Sequence, residues 1–204
     1  MNKMCVMALA VAAGCGSAGA ANLVVDGGFE NPLVTSPAGW DLYGNGSPMG
    51  AWLAGGAGVI LVGAFGGPSA IEGSQCVELN YYQGGSVQQN LATTNGQWYH
   101  LSFEMAGQYA AGPDLKTLHI YWGDTYLGQF AWDRSASHGQ WESHGIDVLG
   151  TTDSTMLLIV GETDVDGGPY IDDVRVEPIP GPGGVGVAAA GTLGLVFGRR
   201  RSRA

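Results

Sequence analysis

The stretch Trp98-Tyr99-His100-Leu101-Ser102-Phe103-Glu104-Met105 alternates apolar and polar side chains from Tyr99 onward. A period of two puts Tyr99, Leu101, Phe103 and Met105 on one side of an extended chain and Trp98, His100, Ser102 and Glu104 on the other, the pattern of a strand with one wet face. Outward from there, Leu118, Ile120 and Trp122 alternate with Thr117, His119 and Tyr121. Gly123-Asp124 then supplies turn chemistry before Tyr126, Gly128, Phe130 and Trp132, so the pair reads as a β-hairpin. Residues 156–160 form an unbroken apolar run, expected of a strand buried on both sides or central to a sheet, and residues 171–176 close the domain. In the Gly-rich segment 44–67 the strand core is Val59-Ile60-Leu61-Val62. No stretch sustains helical periodicity, and no repeat of about 20 to 50 residues recurs, which removes propellers and solenoids. Many short strands joined by long Gly-rich loops predict an all-β fold, an antiparallel β-sandwich of jelly-roll type.

Composition narrows the function. The 204 residues include 36 Gly, and only 13% are charged. All 18 acidic residues lie between Asp26 and Glu177, where the only basic side chains are Lys116, Arg134 and Arg175, so this body carries a formal charge of −15. Without clustered Lys or Arg it has nothing to neutralise phosphates, and nucleic-acid binding is excluded. The content of Val, Leu, Ile, Trp and Tyr excludes a disordered chain.

Both ends read as processing signals. Residues 1–21 combine one positive charge at Lys3, an apolar stretch over residues 4–13 and small residues at Ala18-Gly19-Ala20. This is the layout of a signal peptide removed by signal peptidase. An N-terminal membrane anchor is the alternative, although the stretch is shorter than the ~20 residues that span a bilayer. Lipoprotein processing at Cys15, behind Ala12-Ala13-Gly14, is another. Residues 178–204 divide into a Pro/Gly hinge containing Pro180-Gly181-Pro182, an apolar stretch over residues 185–197 and the cluster Arg199-Arg200-Arg201 with Arg203. Terminal arginines keep such a tail on the cytoplasmic side. The order resembles PEP-CTERM sorting signals, with Gly181 in place of the acidic residue. That resemblance implies transient anchoring in the inner membrane through a C-terminal hydrophobic helix, cleavage by an exosortase-like enzyme and release to the cell surface or outside. An ordinary C-terminal anchor is the alternative.

Residues 22–177 then form the folded domain. Cys5 and Cys15 belong to the leader, so Cys76 is alone, and neither an internal disulfide nor a Cys-rich metal site is available. Cys76 reads as a small buried hydrophobe.

A family resemblance spans this domain. Asn22-Leu23-Val24-Val25-Asp26-Gly27-Gly28-Phe29-Glu30, followed by Gly39-Trp40, is similar to the first strand of jelly-roll carbohydrate-binding modules. Val77-Glu78-Leu79-Asn80, Val87-Gln88-Gln89, Thr93, Gly96, Tyr99, Leu101-Ser102-Phe103, Ala106-Gly107 and Ile171-Asp172-Asp173-Val174 continue the likeness in order. The set resembles the choice-of-anchor C family and the related domain of unknown function 642 of plant cell walls. It implies a galactose-binding-like sandwich on an exported protein. It also implies a structural calcium ion joining the first and last strands, with Glu30 and Asp172 or Asp173 at the matching positions.

The chemistry-bearing residues favour binding over catalysis. No nucleophile-elbow, zinc-protease, phosphate-loop or dinucleotide motif is present. His100, His119, His138 and His144 are scattered, and only the last two stand near one another, among Asp133, Glu142 and Asp147. Residues 162–167 imitate the first half of an EF-hand loop with Asp173 at its twelfth position, but Pro169 and the lack of flanking helices break the motif. Sugar rings present apolar faces that stack on aromatics, and Trp52, Tyr81, Tyr82, Tyr109 and Trp141 fall in loops or at strand ends. The expectation is a non-catalytic exported module that binds polysaccharide in the envelope or exopolysaccharide matrix. A matrix protein without a defined ligand and a glycan-active hydrolase are the alternatives.

Overall fold

A computed structural model describes residues 21–63, 67–109, 112–137, 140–162 and 166–181. The leader through residue 20, with Cys5 and Cys15, and the tail from Pro182 onward, with Arg199, Arg200 and Arg201, lie outside the described residues, as does His138. Among the described residues no helix is long and apolar enough to cross a membrane.

In chain order the strands are β1 (Trp40–Tyr43), β2 (Pro48–Met49), β3 (Trp52–Gly56), β4 (Val59–Val62), β5 (Cys76–Glu78), β6 (Gly85–Leu91), β7 (Trp98–Gly107), β8 (Leu115–Trp122) and β9 (Thr125–Asp133). One helical turn, α1 (Arg134–Ser137), precedes β10 (Glu142–Leu149), β11 (Thr155–Gly161) and β12 (Pro169–Pro178). They pair into two six-stranded sheets, β1-β4-β5-β12-β7-β10 and β2-β3-β6-β11-β8-β9. Every pairing is antiparallel. The fold is the expected β-sandwich.

The alternation read in the sequence is the one the sandwich uses. Tyr99, Leu101, Phe103 and Met105 of β7 are buried between the sheets with Leu118, Ile120 and Trp122 of β8. Each such side chain stabilises the fold by roughly 1.5–3 kcal/mol. The apolar run of β11 is central to its sheet, between β6 and β8, yet buried on one face only: Leu157 and Ile159 point inward while Met156, Leu158 and Val160 are half-exposed. β9 departs from simple alternation. Its register with β8 shifts between Ile120 and Tyr121, so Gly128 faces Ile120 but Tyr126 faces Tyr121. This bulge turns Tyr126 to the outside, half-exposed, while Phe130 and Trp132 keep to the core side.

The two outer faces differ. On the first sheet, Val62, Cys76, Ala106 and Tyr170 form a second buried cluster, with Ile60 and Trp141 packed against it. Cys76 is buried, as its composition suggested, and burial holds its thiol well above the ordinary range.

Residues 22–30 are an irregular segment rather than a first strand. Leu23 donates its N–H to the Val176 carbonyl at 2.8 Å, and Val174 donates to the Gly27 carbonyl at 3.0 Å. The Asn22 Oδ1 accepts the amides of Val24 and Val176. Asp26 and Phe29 adopt positive φ, 58° and 56°, which folds the segment back into the sandwich. Gly27 is needed for close approach, since a Cβ there would stand 2.1 Å from the Val174 carbonyl oxygen. Gly27→Ala should therefore cost more than about 2 kcal/mol in chemical unfolding. Gly44→Ala, where a Cβ meets nothing within 4 Å, should stay within about 0.5 kcal/mol of wild type.

Candidate functional site

Side chains on the outer face of the first sheet alternate with those of its core, and at one end they are left uncovered. Trp40 of β1, Ile60 and Val62 of β4, and Glu78 of β5 line a cleft of about 260 Å³ that Tyr81, Tyr82, Gln108 and Asp166 complete from three loops. The register explains the grouping: Trp40 pairs with Val62 and Ile60 with Glu78, so all four point the same way.

The β5–β6 loop supplies the tyrosines. Asn80 bridges to Gly84, and Gly85 donates to the Leu79 carbonyl at 3.1 Å, which pinches residues 81–83 into a tight projection. Tyr82 sits at φ 63°, in the left-handed region that a side chain adopts at a cost of order 1–3 kcal/mol. The two rings stand edge to face with centroids 5.1 Å apart, and Tyr82 is 60% exposed. Strain spent to hold an aromatic ring in water has no packing explanation here, and it points to a role for the ring.

The other two loops are set from beneath. Lys116 is fully buried and donates from Nζ to the Gly167 carbonyl at 2.7 Å. Glu78, also buried, accepts the Gly168 amide at 2.8 Å. Between them they fix the turn that carries Asp166, and Gln108 donates its backbone amide to the Gly168 carbonyl at 3.1 Å. Burial, reinforced by the Arg134 guanidinium, lowers the Lys116 ammonium from 10.5 to about 8 against the pull of Glu78, Asp114 and Asp166. Burial raises the Glu78 carboxyl, with the Gly168 hydrogen bond opposing it.

The structure sorts the aromatic residues singled out in the sequence. Tyr81 and Tyr82 meet in the cleft. Tyr109 is exposed at the same end but does not line it, and the Arg134 guanidinium lies 5.9 Å from its ring centre. Trp141 packs over the buried outer cluster and donates its indole N–H to the Ser69 carbonyl at 2.8 Å. Trp52 is not at the surface: it is 2% exposed, its ring centroid 5.2 Å from that of Phe29 in a tilted pair, with its indole N–H on the Asp26 carbonyl. Trp40, Glu78, Gln108 and Asp166 were not singled out as site residues. Trp40 and Glu78 fall within the family likeness, but strands of four and three residues do not tell their two faces apart in the sequence.

The expected calcium ligands, Glu30, Asp172 and Asp173, each hold hydrogen-bond partners within the fold. Glu30 accepts the amides of Ser74 and Gln75 and the Ser74 hydroxyl, and Asp172 accepts the amides of Ile71 and Glu72. Asp173 is paired with the Arg175 guanidinium at 2.7 Å. Their oxygens thus face N–H and O–H donors, and among the described residues no group of three or more His, Cys, Asp or Glu side chains could hold a metal ion. Glu30 and Asp172 grip the loop over residues 71–75. Burial raises Asp172 to about 6 despite its three amide donors. The described histidines do not converge either. His100 pairs with Asp147 and His119 with Glu162, while His144 stacks on Phe103.

A larger concavity, of about 520 Å³, is lined by Gln97, Trp98, Asp147, Ile179 and Pro180 with two glycines, and it has one aromatic ring. Three rings and convergent polar groups make the smaller cleft the candidate site.

The family model described as "Protein of unknown function (DUF642)" matches residues 22–177. The chain belongs to the DUF642 family. Among solved structures, TmCBM61 in complex with β-1,4-galactotriose is similar with a TM-score of 0.51 and 17% identity, over 78% of this chain and 99% of that one. A family 35 carbohydrate-binding module from Clostridium thermocellum gives a TM-score of 0.47 at 18% identity, over 67% and 96%. A cyclase from Fischerella sp. TAU gives 0.49 at 16%, over 79% and 98%. No curated protein matches the sequence. At 17% identity the likeness to the galactotriose-bound module shows a shared fold alone, and the function of the DUF642 chain has to be argued from its own site.

The buried lysine gives the DUF642 site a pH signature. Between about pH 8 and the ordinary lysine value of 10.5, the unfolded chain binds the proton that the folded Lys116 has released, so this residue adds stability as pH rises across that window. The stability of wild type relative to Lys116→Met, measured by urea unfolding, should therefore increase from pH 7 to pH 10.

Proposed function

We propose that the protein is a non-catalytic, exported carbohydrate-binding module that takes a polysaccharide segment into the cleft of Trp40, Tyr81 and Tyr82. The observation that carries this reading is the strained, solvent-exposed Tyr82 beside Tyr81, in a cleft that also presents the Gln108 amide and the carboxyls of Glu78 and Asp166. Aromatic faces match the C–H faces of a pyranose, and the polar groups match its hydroxyls. The fold shared with a module solved with bound β-1,4-galactotriose supports the same reading.

The two ends of the sandwich support the cellular side. The hinge is tied down where it leaves β12: Ile179 donates its amide to the Trp98 carbonyl at 2.8 Å, and Gln97 donates its side-chain amide to the Ile179 carbonyl. Trp98 opens β7 and Gly107, beside the cleft residue Gln108, ends it. At about 3.3 Å per residue the strand puts the hinge at Ile179 and the cleft roughly 30 Å apart. A chain held in the inner membrane by a PEP-CTERM-like tail, in the manner of choice-of-anchor C proteins, would present its cleft away from the bilayer. Cleavage would then release it to the cell surface or the exopolysaccharide matrix.

The test is retention of the protein in native gels containing neutral polysaccharides. Wild type should be retarded by at least one glycan class, and Trp40→Ala or Tyr82→Ala should weaken the interaction about tenfold or more. Tyr82→Gly should lose binding yet gain about 0.5–1 kcal/mol of stability, because it relieves the left-handed strain at the cost of chain entropy. Binding that survives all three substitutions contradicts the proposal.

A further inference from the structure

The second sheet carries an outer face that the cleft does not use. Its register lines up Leu53, Gln88, Leu158, Tyr121 and Tyr126 across β3, β6, β11, β8 and β9. The next row is Gly55, Ser86, Val160, His119 and Gln129. Neither row contains Asp, Glu, Lys or Arg. The wet face of an antiparallel sheet is ordinarily where polar and charged side chains collect. Here ten outward positions avoid formal charge in a body whose net charge is −15.

The aromatic corner of this face is built by an irregularity. Without the bulge at Ile120 and Tyr121, the alternation of β9 would send Tyr126 inward with Phe130 and Trp132. With it, Tyr126 lies 51% exposed, 5.3 Å from the Tyr121 ring and 5.5 Å from the His119 ring. Gly128, at φ 145°, supplies the backbone that the bulge requires. Bulges that re-aim one side chain recur beside functional sites. Next to the rings, the Glu162 carboxylate accepts the Gln129 side-chain amide at 2.8 Å and the Thr117 hydroxyl at 3.1 Å and pairs with the His119 Nε2 at 3.0 Å. That fixes the amide and the imidazole in orientation before any ligand arrives.

We propose that this face is a second glycan-binding surface, which takes an uncharged polysaccharide chain lying across the strands. The ligand class follows from the surface. Five strands about 4.8 Å apart make a track roughly 19 Å long, enough for several sugar rings in a row. Tyrosine and aliphatic side chains meet their apolar faces, and Gln88, Ser86 and Gln129 meet hydroxyls. Uronate-rich chains are disfavoured by an acidic body with no cation on the track. The inference rests on the glycan-binding reading above but on different residues. Two surfaces on one small domain would raise the avidity of the protein for a polymer over that for a short oligosaccharide.

The test compares wild type, Tyr121→Ala/Tyr126→Ala, Gln129→Ala and Tyr81→Ala/Tyr82→Ala in gels containing a galactan, a mannan, a glucan or polygalacturonate, with thermal unfolding of each variant as the fold control. The expected result is that Tyr121→Ala/Tyr126→Ala weakens retention on a neutral polymer about ten- to a hundredfold with cooperative unfolding preserved, and that Gln129→Ala weakens it less. Retention lost only in Tyr81→Ala/Tyr82→Ala overturns this inference and leaves the cleft standing. Retention lost only in the outer-face variants upholds it and removes the cleft. Absence of retention by wild type overturns both. A wild-type dimer in sedimentation that becomes monomeric in Tyr121→Ala/Tyr126→Ala makes the face an interface between copies and overturns it as well.

Discussion

The fold depends on how the exposed side of β12 is closed. That strand pairs with β5 only through Tyr170 and Ile171 before its bulge at residues 172–175, and beyond the bulge the same edge is left to residues 22–27. A central strand cannot leave amides and carbonyls unpaired in the interior. The opening segment supplies the partners through its backbone and the Asn22 side chain, with Gly27 allowing the contact. The same segment reaches the other sheet, where the Gln89 side-chain amide both donates to and accepts from the backbone of Val25, and the Trp52 indole bonds the Asp26 carbonyl. One nine-residue motif therefore fastens the two sheets to each other, and it is the motif that carried the family likeness.

From this fastening the site follows by steps. Phe29 goes into the core beside Trp52, which leaves Glu30 at the rim to hold Ser74 and Gln75, while Asp172 on β12 holds Ile71 and Glu72. The loop so gripped lies against the outer face of the first sheet: a Cβ at Gly67 would contact Val62 and Tyr170, and Ser69 accepts the Trp141 indole. What is left open is the end near β1, where Trp40 stands 40% exposed. The loops after β5, β7 and β11 close around that opening because Lys116 and Glu78 hold the Gly167-Gly168 turn from inside. Buried charges of this kind cost solvation, and here the return is a positioned rim rather than added stability.

Much of the fold was legible because strands with one wet face leave a period of two in the sequence, as β7 and β8 do, while the unbroken apolar run of β11 marked a strand central to its sheet. The misreadings have local causes. A bulge adds one residue without altering composition, so Tyr126 could be placed on the wrong face. Trp52 sits in a Gly-rich stretch with little alternation, and its burial depends on Phe29, twenty-three positions away in sequence. Of the site, the adjacent Tyr81 and Tyr82 could be found because an aromatic pair between an apolar strand and a Gly pair reads as a projecting loop. Lys116 could not, since its burial is fixed by Gly107 at the end of β7 and by Gly112 and Gly167 in two loops.

The central claim is that an aromatic cleft at one end of the sandwich holds sugar rings, and the six indoles of the protein can report on it individually. Those of Trp52, Trp122, Trp132 and Trp141 are hydrogen-bonded within the fold, whereas Trp40 and Trp98 are exposed at opposite ends. The most direct measurement is an NMR titration of the indole and side-chain amide protons with β-1,4-galactotriose and the corresponding mannan and glucan oligosaccharides. The account predicts that, with at least one of these, the Trp40 indole and the Gln108 amide shift in a saturable manner while Trp52, Trp132 and Trp98 stay in place. Shifts confined to Trp98, or no saturable shift with any of these sugars, would contradict it.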